Sequence, residues 1–115
     1  MNEIKLTPKI VEKPWGREQW LVVTEKYVLK ILEIKKGHRF SLQYHEVKDE
    51  AWLVTKGKLL AVYGEEELTL IPGDIVRVPP KTIHRLKALE DAEIIEVSTP
   101  ELEDVVRLED DYSRK

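Results

Sequence analysis

Apolar residues in this chain come in short bursts that alternate with polar ones, and turn formers separate the bursts. Residues 20–24 and 27–34, rich in Val, Ile, Leu and aromatics, predict strands. Lys36-Gly37 ends that pair. Residues 40–45 predict a further short strand, followed by 51–55. Lys56-Gly57-Lys58 predicts a hairpin turn into 59–63, and Gly64-Glu65-Glu66 turns back into 67–71. Pro72-Gly73-Asp74 predicts another tight turn before 75–78. Pro79-Pro80 interrupts that run and belongs at a strand end or sheet edge, because proline donates nothing to a ladder. Residues 83–89 and 92–98 complete the set. Residues 100–108 fit either a short helix, opened by Thr99 with Pro100 at its first position, or a last strand over 105–108. About ten short strands at close spacing predict an all-β sandwich, jelly roll or barrel.

Composition narrows the class. A chain of 115 residues makes one domain, with 1–13 as an N-terminal arm or edge strand. Charged residues reach 36%, well above the usual share of roughly 25%, but they are mixed in sign and net only -3. Neither nucleic acid nor an anionic membrane is implied as a partner. No apolar run approaches the roughly 20 residues that cross a bilayer, and Met1-Asn2-Glu3-Ile4-Lys5 carries no apolar leader core, so a cytoplasmic location is expected. The absence of cysteine excludes disulfides, zinc ribbons and thiol nucleophiles. High Glu and Lys with few labile amides predicts heat adaptation. Gln19 and Gln43 are the only glutamines, and Gln43 stands two residues before a histidine.

The run Gln43-Tyr44-His45-Glu46-Val47-Lys48-Asp49-Glu50 gathers an amide, an imidazole and carboxylates. Side chains alternate along a strand, so Ser41, Gln43 and His45 share one face, with Leu42 and Tyr44 on the other. A polar face among core strands has to be solvated, hydrogen-bonded or metal-bound. If 40–45 and 51–55 are antiparallel neighbours, Glu50 returns close to His45, and His84 arrives from another strand. The same residues also fit an ordinary solvated turn with hydrogen-bonded histidines, and spacing leaves both readings open. His38, beside Gly37, reads as a surface loop residue.

Longer motifs add to this. Gly37, five residues, Gln43-Tyr44-His45, four residues, Glu50 and later Gly57 resemble the first cupin motif. Gly73, five residues, Pro79 and then His84 resemble the second. The set Pro14-Trp15-Gly16, Phe40-Ser41-Leu42-Gln43-Tyr44-His45, Glu50-Ala51-Trp52, His84-Arg85, Ile95-Glu96-Val97 and Val106-Arg107-Leu108-Glu109-Asp110-Asp111-Tyr112 resembles the isomerase domain of type II phosphomannose isomerases, over 14–114. In many of those, this domain is the C-terminal part of a bifunctional mannose-1-phosphate guanylyltransferase. The sequence carries no nucleotidyltransferase domain, so a stand-alone cupin is expected.

The resemblance implies a jelly-roll β-barrel with one divalent metal ion bound by Gln43, His45, Glu50 and His84. Such ligands suit zinc, manganese, iron, cobalt or nickel. The implied reaction interconverts mannose 6-phosphate and fructose 6-phosphate through an enediol. No spare histidine or carboxylate is evident on the inner face, which leaves Lys48, if desolvation lowers its pKa, or a metal-bound water as the candidate base. Lys30, Lys48, Arg85 and Arg107 are candidates for the phosphate. Strand parity turns Arg85 away from His84, which favours Arg107 and Lys48. Trp52 shares parity with Glu50 and serves either as a wall against the sugar or as core. Trp15 and Trp20 are expected at the barrel end or in a homodimer contact, since small cupins cover an open sheet edge by pairing. Three positions depart from the family pattern: Lys48 replaces an arginine, Lys81 a glycine and Ala88 an asparagine. Those departures keep two other readings open, a non-catalytic cupin that binds a sugar or other small ligand, and a different metal-dependent cupin enzyme.

Overall fold

The computed structural model describes residues 4–112. Among them all helix is absent, and eleven strands form two antiparallel sheets. The strands are β1 (Lys9–Lys13), β2 (Gly16–Val23), β3 (Val28–Ile34), β4 (Leu42–Tyr44), β5 (Glu50–Lys56), β6 (Leu59–Tyr63), β7 (Glu66–Leu70), β8 (Ile75–Val78), β9 (His84–Ala88), β10 (Ala92–Ser98) and β11 (Val106–Glu109). The six-stranded sheet runs β1-β2-β3-β10-β5-β8, and the five-stranded sheet runs β11-β4-β9-β6-β7. The sheets stay separate rather than closing into one barrel, in the manner of a jelly roll. The segment over 9–13 is an edge strand on β2, while residues 1–3 of the expected arm lie outside the described residues. The open choice at the C-terminus resolves as strand β11. No helix among the described residues is long and apolar enough to cross a membrane.

One expected pairing is corrected. β4 and β5 are not neighbours: β4 pairs with β9 and β11, and β5 pairs with β10 and β8. The link between them crosses from one sheet to the other. Local patterning shows where strands lie, but the partner of each is chosen by packing far along the chain.

Strand parity builds an interior that changes character from one end to the other. On β3 the inward residues are Val28, Lys30, Leu32 and Ile34; on β5 they are Glu50, Trp52 and Val54; on β10 they are Ser98, Glu96, Ile94 and Ala92. Register aligns Val28, Ser98, Glu50 and Val78 in one row, and Lys30, Glu96, Trp52 and Val76 in the next. The following row, Leu32, Ile94 and Val54, is wholly apolar. The facing sheet repeats the gradient: Arg107, Gln43, His84 and Tyr63 share a row, with Leu86 and Ala61 beyond. One end is therefore an apolar core of Trp15, Leu32, Ile34, Phe40, Val54, Leu59, Leu86 and Ile94. Each large side chain buried there contributes about 1.5–3 kcal/mol. The other end buries Lys30, His45, Lys48, Glu50, His84 and Glu96. Buried ions each cost several kcal/mol unless paired, so that end is stable only through its internal partners.

Tight backbone contacts fix the ends of the strands. Gly57 has φ +80, and an added Cβ would lie 2.2 Å from the Asp91 carbonyl oxygen. Gly64 also has positive φ, +61, but open space around it. Gly57→Ala is therefore expected to lose about 2–3 kcal/mol of unfolding free energy in denaturant titration, through strain plus clash. Gly64→Ala is expected to lose about 1 kcal/mol, through strain alone. Equal losses at the two sites would contradict the contact at Gly57.

Candidate metal centre

The chain from β4 to β5 crosses between the sheets with His45 at its start and Glu50 at its end. That crossing brings the two side chains together, although their strands do not pair. His84 opens β9, directly in register with Gln43. One ligand atom from each of His45, Glu50 and His84 lies within 4.8 Å of the others, and all three residues are buried.

Each ring is oriented from behind. His45 Nδ1 lies 2.5 Å from the Asp104 carbonyl oxygen, and His84 Nδ1 lies 2.8 Å from the Thr82 carbonyl oxygen. Both Nδ1 atoms therefore donate, which turns each Nε2 inward. Glu50 is oriented in the same way: Trp52 Nε1 donates to its Oε2 at 3.0 Å, leaving Oε1 to face inward. Oε1 lies 2.7 Å from His45 Nε2 and 3.6 Å from His84 Nε2. The 2.7 Å approach is within ion-pair distance, yet His45 Nε2 makes no hydrogen bond of acceptable geometry. Two imidazole nitrogens and a carboxylate oxygen thus converge, one nitrogen without a well-formed hydrogen bond, and a cation is what such a cluster accommodates.

The charge states agree with a ligand set. Burial acts to raise Glu50, but hydrogen bonds from Glu96 and His45 and the charges of Lys48 and His84 carry it well below the usual carboxylate range. Burial pushes His84 down, only partly opposed by Glu50. Gln43 sits beside the cluster, its Nε2 3.5 Å from His84 Nε2 and its Oε1 accepting from Ser41 at 2.8 Å. A half-turn of the amide aims Oε1 at the cluster while Nε2 donates to Ser41 Oγ.

The remaining site candidates separate. Lys48, Lys30 and Arg107 line a pocket with Gln43, His45 and Glu50, joined by Lys13, Glu18 and Glu96. Lys48 Nζ lies 3.8 Å from Glu96 Oε2, and Lys30 Nζ 3.2 Å from Glu18 Oε1 and 4.8 Å from the Trp20 ring centre. Burial acts to lower Lys48, but Glu96, Glu50 and Glu18 outweigh it, and the net direction is up. Lys48 is thus held as a cation beside Glu96. Arg85 keeps the parity expected of it: its Nε donates to the Phe40 carbonyl at 2.9 Å and it bonds the Glu109 carbonyl at 3.2 Å, bracing β9 away from the pocket. Trp52 is core, 1% exposed, and orients Glu50 rather than walling the pocket. Trp15 is core as well, edge-on to Phe40. His38 is not a plain surface residue, because its Nδ1 lies 2.8 Å from Tyr112 Oη.

Glu96, which the sequence showed only within the Ile95-Glu96-Val97 motif and without a site role, also belongs to this centre. It is 5% exposed, between Lys30 and Trp52 on the inner face. Burial and the adjacent Glu50 charge push its carboxyl well above the usual range. Parity with Ile94 on β10 is the signal that would have found it. Lys81, the substitute for a glycine, keeps the glycine backbone: its φ is +68, and its N–H donates to the His45 carbonyl at 2.6 Å.

The sequence matches the family described as "Mannose-6-phosphate isomerase C-terminal" over residues 2–110. The chain belongs to this family. Curated relatives include the xanthan biosynthesis protein XanB of Xanthomonas campestris pv. campestris, 33% identical over 109 residues, which are 90% of this chain and 23% of the relative. A mannose-1-phosphate guanylyltransferase of Salmonella muenchen is 31% identical over 104 residues, 86% of this chain and 22% of that protein. The chain thus spans under a quarter of the length of either relative. Among solved structures, an RmlC-like cupin from Shewanella frigidimarina aligns with TM-score 0.78 at 18% identity, covering 89% of this chain and 95% of its own. KdgF from Halomonas sp. aligns with TM-score 0.74 at 23% identity, covering 80% and 87%. These likenesses give the fold, a cupin.

Loss of either ring should empty the centre. Metal content by elemental analysis, after loading and desalting, is expected near one ion per chain for the parent protein. It should fall more than tenfold in His45→Ala and in His84→Ala, since each removes a nitrogen ligand. Retained stoichiometry in both variants would rule out this centre.

Proposed function

We propose that this family member is a metal-dependent isomerase of the mannose 6-phosphate type, interconverting an aldose phosphate and its ketose. The observation that carries the reading is the cluster of His45, Glu50 and His84 at the head of a pocket ringed by Lys13, Lys30, Lys48 and Arg107. A divalent ion held by these ligands, with Gln43, would supply a Lewis acid for the sugar oxygens at C1 and C2. Lys13, Lys30, Lys48 and Arg107 in the pocket wall suit a dianionic phosphate. Arg107 shares a cross-strand row with Gln43, which points its side chain to the ligand side.

The reaction removes a proton from C2, passes through a C1–C2 enediol and returns a proton to C1, while a hydroxyl proton moves from O2 to O1. Its proton carrier has to lie beside the ligands without being one of them. Glu96 has that position, packed against Glu50 with Lys48 beside it. It takes the role first considered for Lys48, whose charge instead offsets the oxyanion that develops. A second reading rests on pocket size. The free volume beside the ligands is about 80 Å³, against roughly 300–1,000 Å³ for typical small-molecule sites. That space suits a cupin that holds a small anionic or hydroxylated ligand without turning it over. A homodimer is proposed for either reading.

The two readings part in one experiment. Mannose 6-phosphate is followed by NMR with zinc, manganese, cobalt or iron supplied. Interconversion with fructose 6-phosphate is expected, with kcat about 100-fold lower or worse in Glu96→Gln and metal content preserved. Absence of turnover with every metal, in protein that holds metal, would leave the binding reading in its place.

A further inference from the structure

The crossing loop that carries His45 and Glu50 buries no apolar side chain, since Val47 is 62% exposed, so its shape is imposed from outside. Besides the Lys81 N–H on the His45 carbonyl and the Arg77 side chain on Asp49, two points on one other segment hold it. At the Glu50 end, Asp49 N–H donates to Thr99 Oγ1 at 3.0 Å, and Thr99 N–H returns a bond to the Asp49 carbonyl at 3.0 Å. At the His45 end stands Asp104. Its carboxylate accepts three successive backbone N–H groups: Glu46 at 3.0 Å on Oδ1, Val47 at 2.8 Å and Lys48 at 2.9 Å on Oδ2. Successive N–H groups converging on one anion form a nest, which holds a turn in one conformation. The carbonyl of the same residue accepts from His45 Nδ1.

We propose that Asp104 is the positioning residue of the metal centre, fixing the separation of His45 and Glu50 and the rotation of the His45 ring. The inference rests on the metal reading above. The carboxylate sets the loop and the carbonyl sets the ring, so one residue couples two properties of the ligand. Displacement of the carboxylate would release the turn and move the carbonyl away from Nδ1 together. The segment that follows is anchored elsewhere: Arg39 makes paired bonds to Asp111 at 2.7 and 2.8 Å. That anchor leaves the 46–48 turn untouched and so supplies a control. A role in general stability would make both sites matter alike, whereas a role in positioning makes Asp104 matter for the ion.

Cobalt affinity by chelator competition, the visible spectrum of the cobalt-loaded chain, and the melting temperature of the metal-free chain are compared for the parent, Asp104→Ala, Asp104→Asn and Asp111→Asn. Asp104→Ala is expected to bind cobalt 10–100-fold more weakly and to shift the cobalt bands. Asp104→Asn, which keeps one acceptor oxygen, should fall between it and the parent. Asp111→Asn should stay within twofold of the parent, with unchanged bands. Parent-like affinity and spectrum in Asp104→Ala overturn the proposal, and so does an equal loss in Asp111→Asn. If Asp104→Ala does not fold, parent-like affinity in Asp104→Asn overturns it. A parent chain that takes up no cobalt overturns the metal reading itself, which is a different outcome.

Discussion

Two imidazole nitrogens and a carboxylate oxygen, brought together and buried at one end of a two-sheet sandwich, are the constraint around which this molecule is arranged. His45 Nε2, His84 Nε2 and Glu50 Oε1 face one another. In water such a set would be solvated. Here each residue is at most 4% exposed, so the cost of bringing these atoms together has to be met by a cation or carried as strain. Everything that points the atoms inward is a hydrogen bond to the opposite side of the same group: Asp104 and Thr82 carbonyls behind the rings, Trp52 behind the carboxylate.

Two sheets supply the site because neither can do so alone. The six-stranded sheet contributes Glu50, Glu96 and Lys30 in adjacent rows, while the five-stranded sheet contributes Gln43, His84 and Arg107 in one. The apolar rows beyond them hold the sheets at a fixed spacing. The polar centre and the apolar core thus lie on the same strands, two residues apart. Lys30, Glu96 and Lys48 occupy inward positions that apolar side chains would fill at lower cost. Each lysine sits against a carboxylate, Lys30 against Glu18 and Lys48 against Glu96.

Much of this was readable from residue order. Gly57, Gly73 and Pro79-Pro80 mark where strands stop, and alternation marks which faces turn inward, so the strands and the ligand types emerge from local rules. Glu96 obeyed the same parity, yet a single carboxylate within an Ile-Ile-Glu-Val run looks like an outward residue until Ile94 is known to be buried. Pairing was the part that local pattern could not reach: β4 and β5 follow one another in sequence and lie in different sheets. Asp104 left no signal at all, because its four bonds depend on where β10 hands the chain to β11. Lys81 reads as a departure from the family pattern, but the backbone around it keeps the left-handed turn of a glycine and the hydrogen bond to His45.

The most direct test of the centre is X-ray absorption on the zinc-loaded chain. The arrangement predicts two imidazole nitrogens per ion at about 2.0–2.1 Å, with oxygen ligands completing the shell. It also predicts loss of one imidazole's scattering in His84→Gln. A shell of oxygen alone, or one unchanged by that substitution, would contradict it.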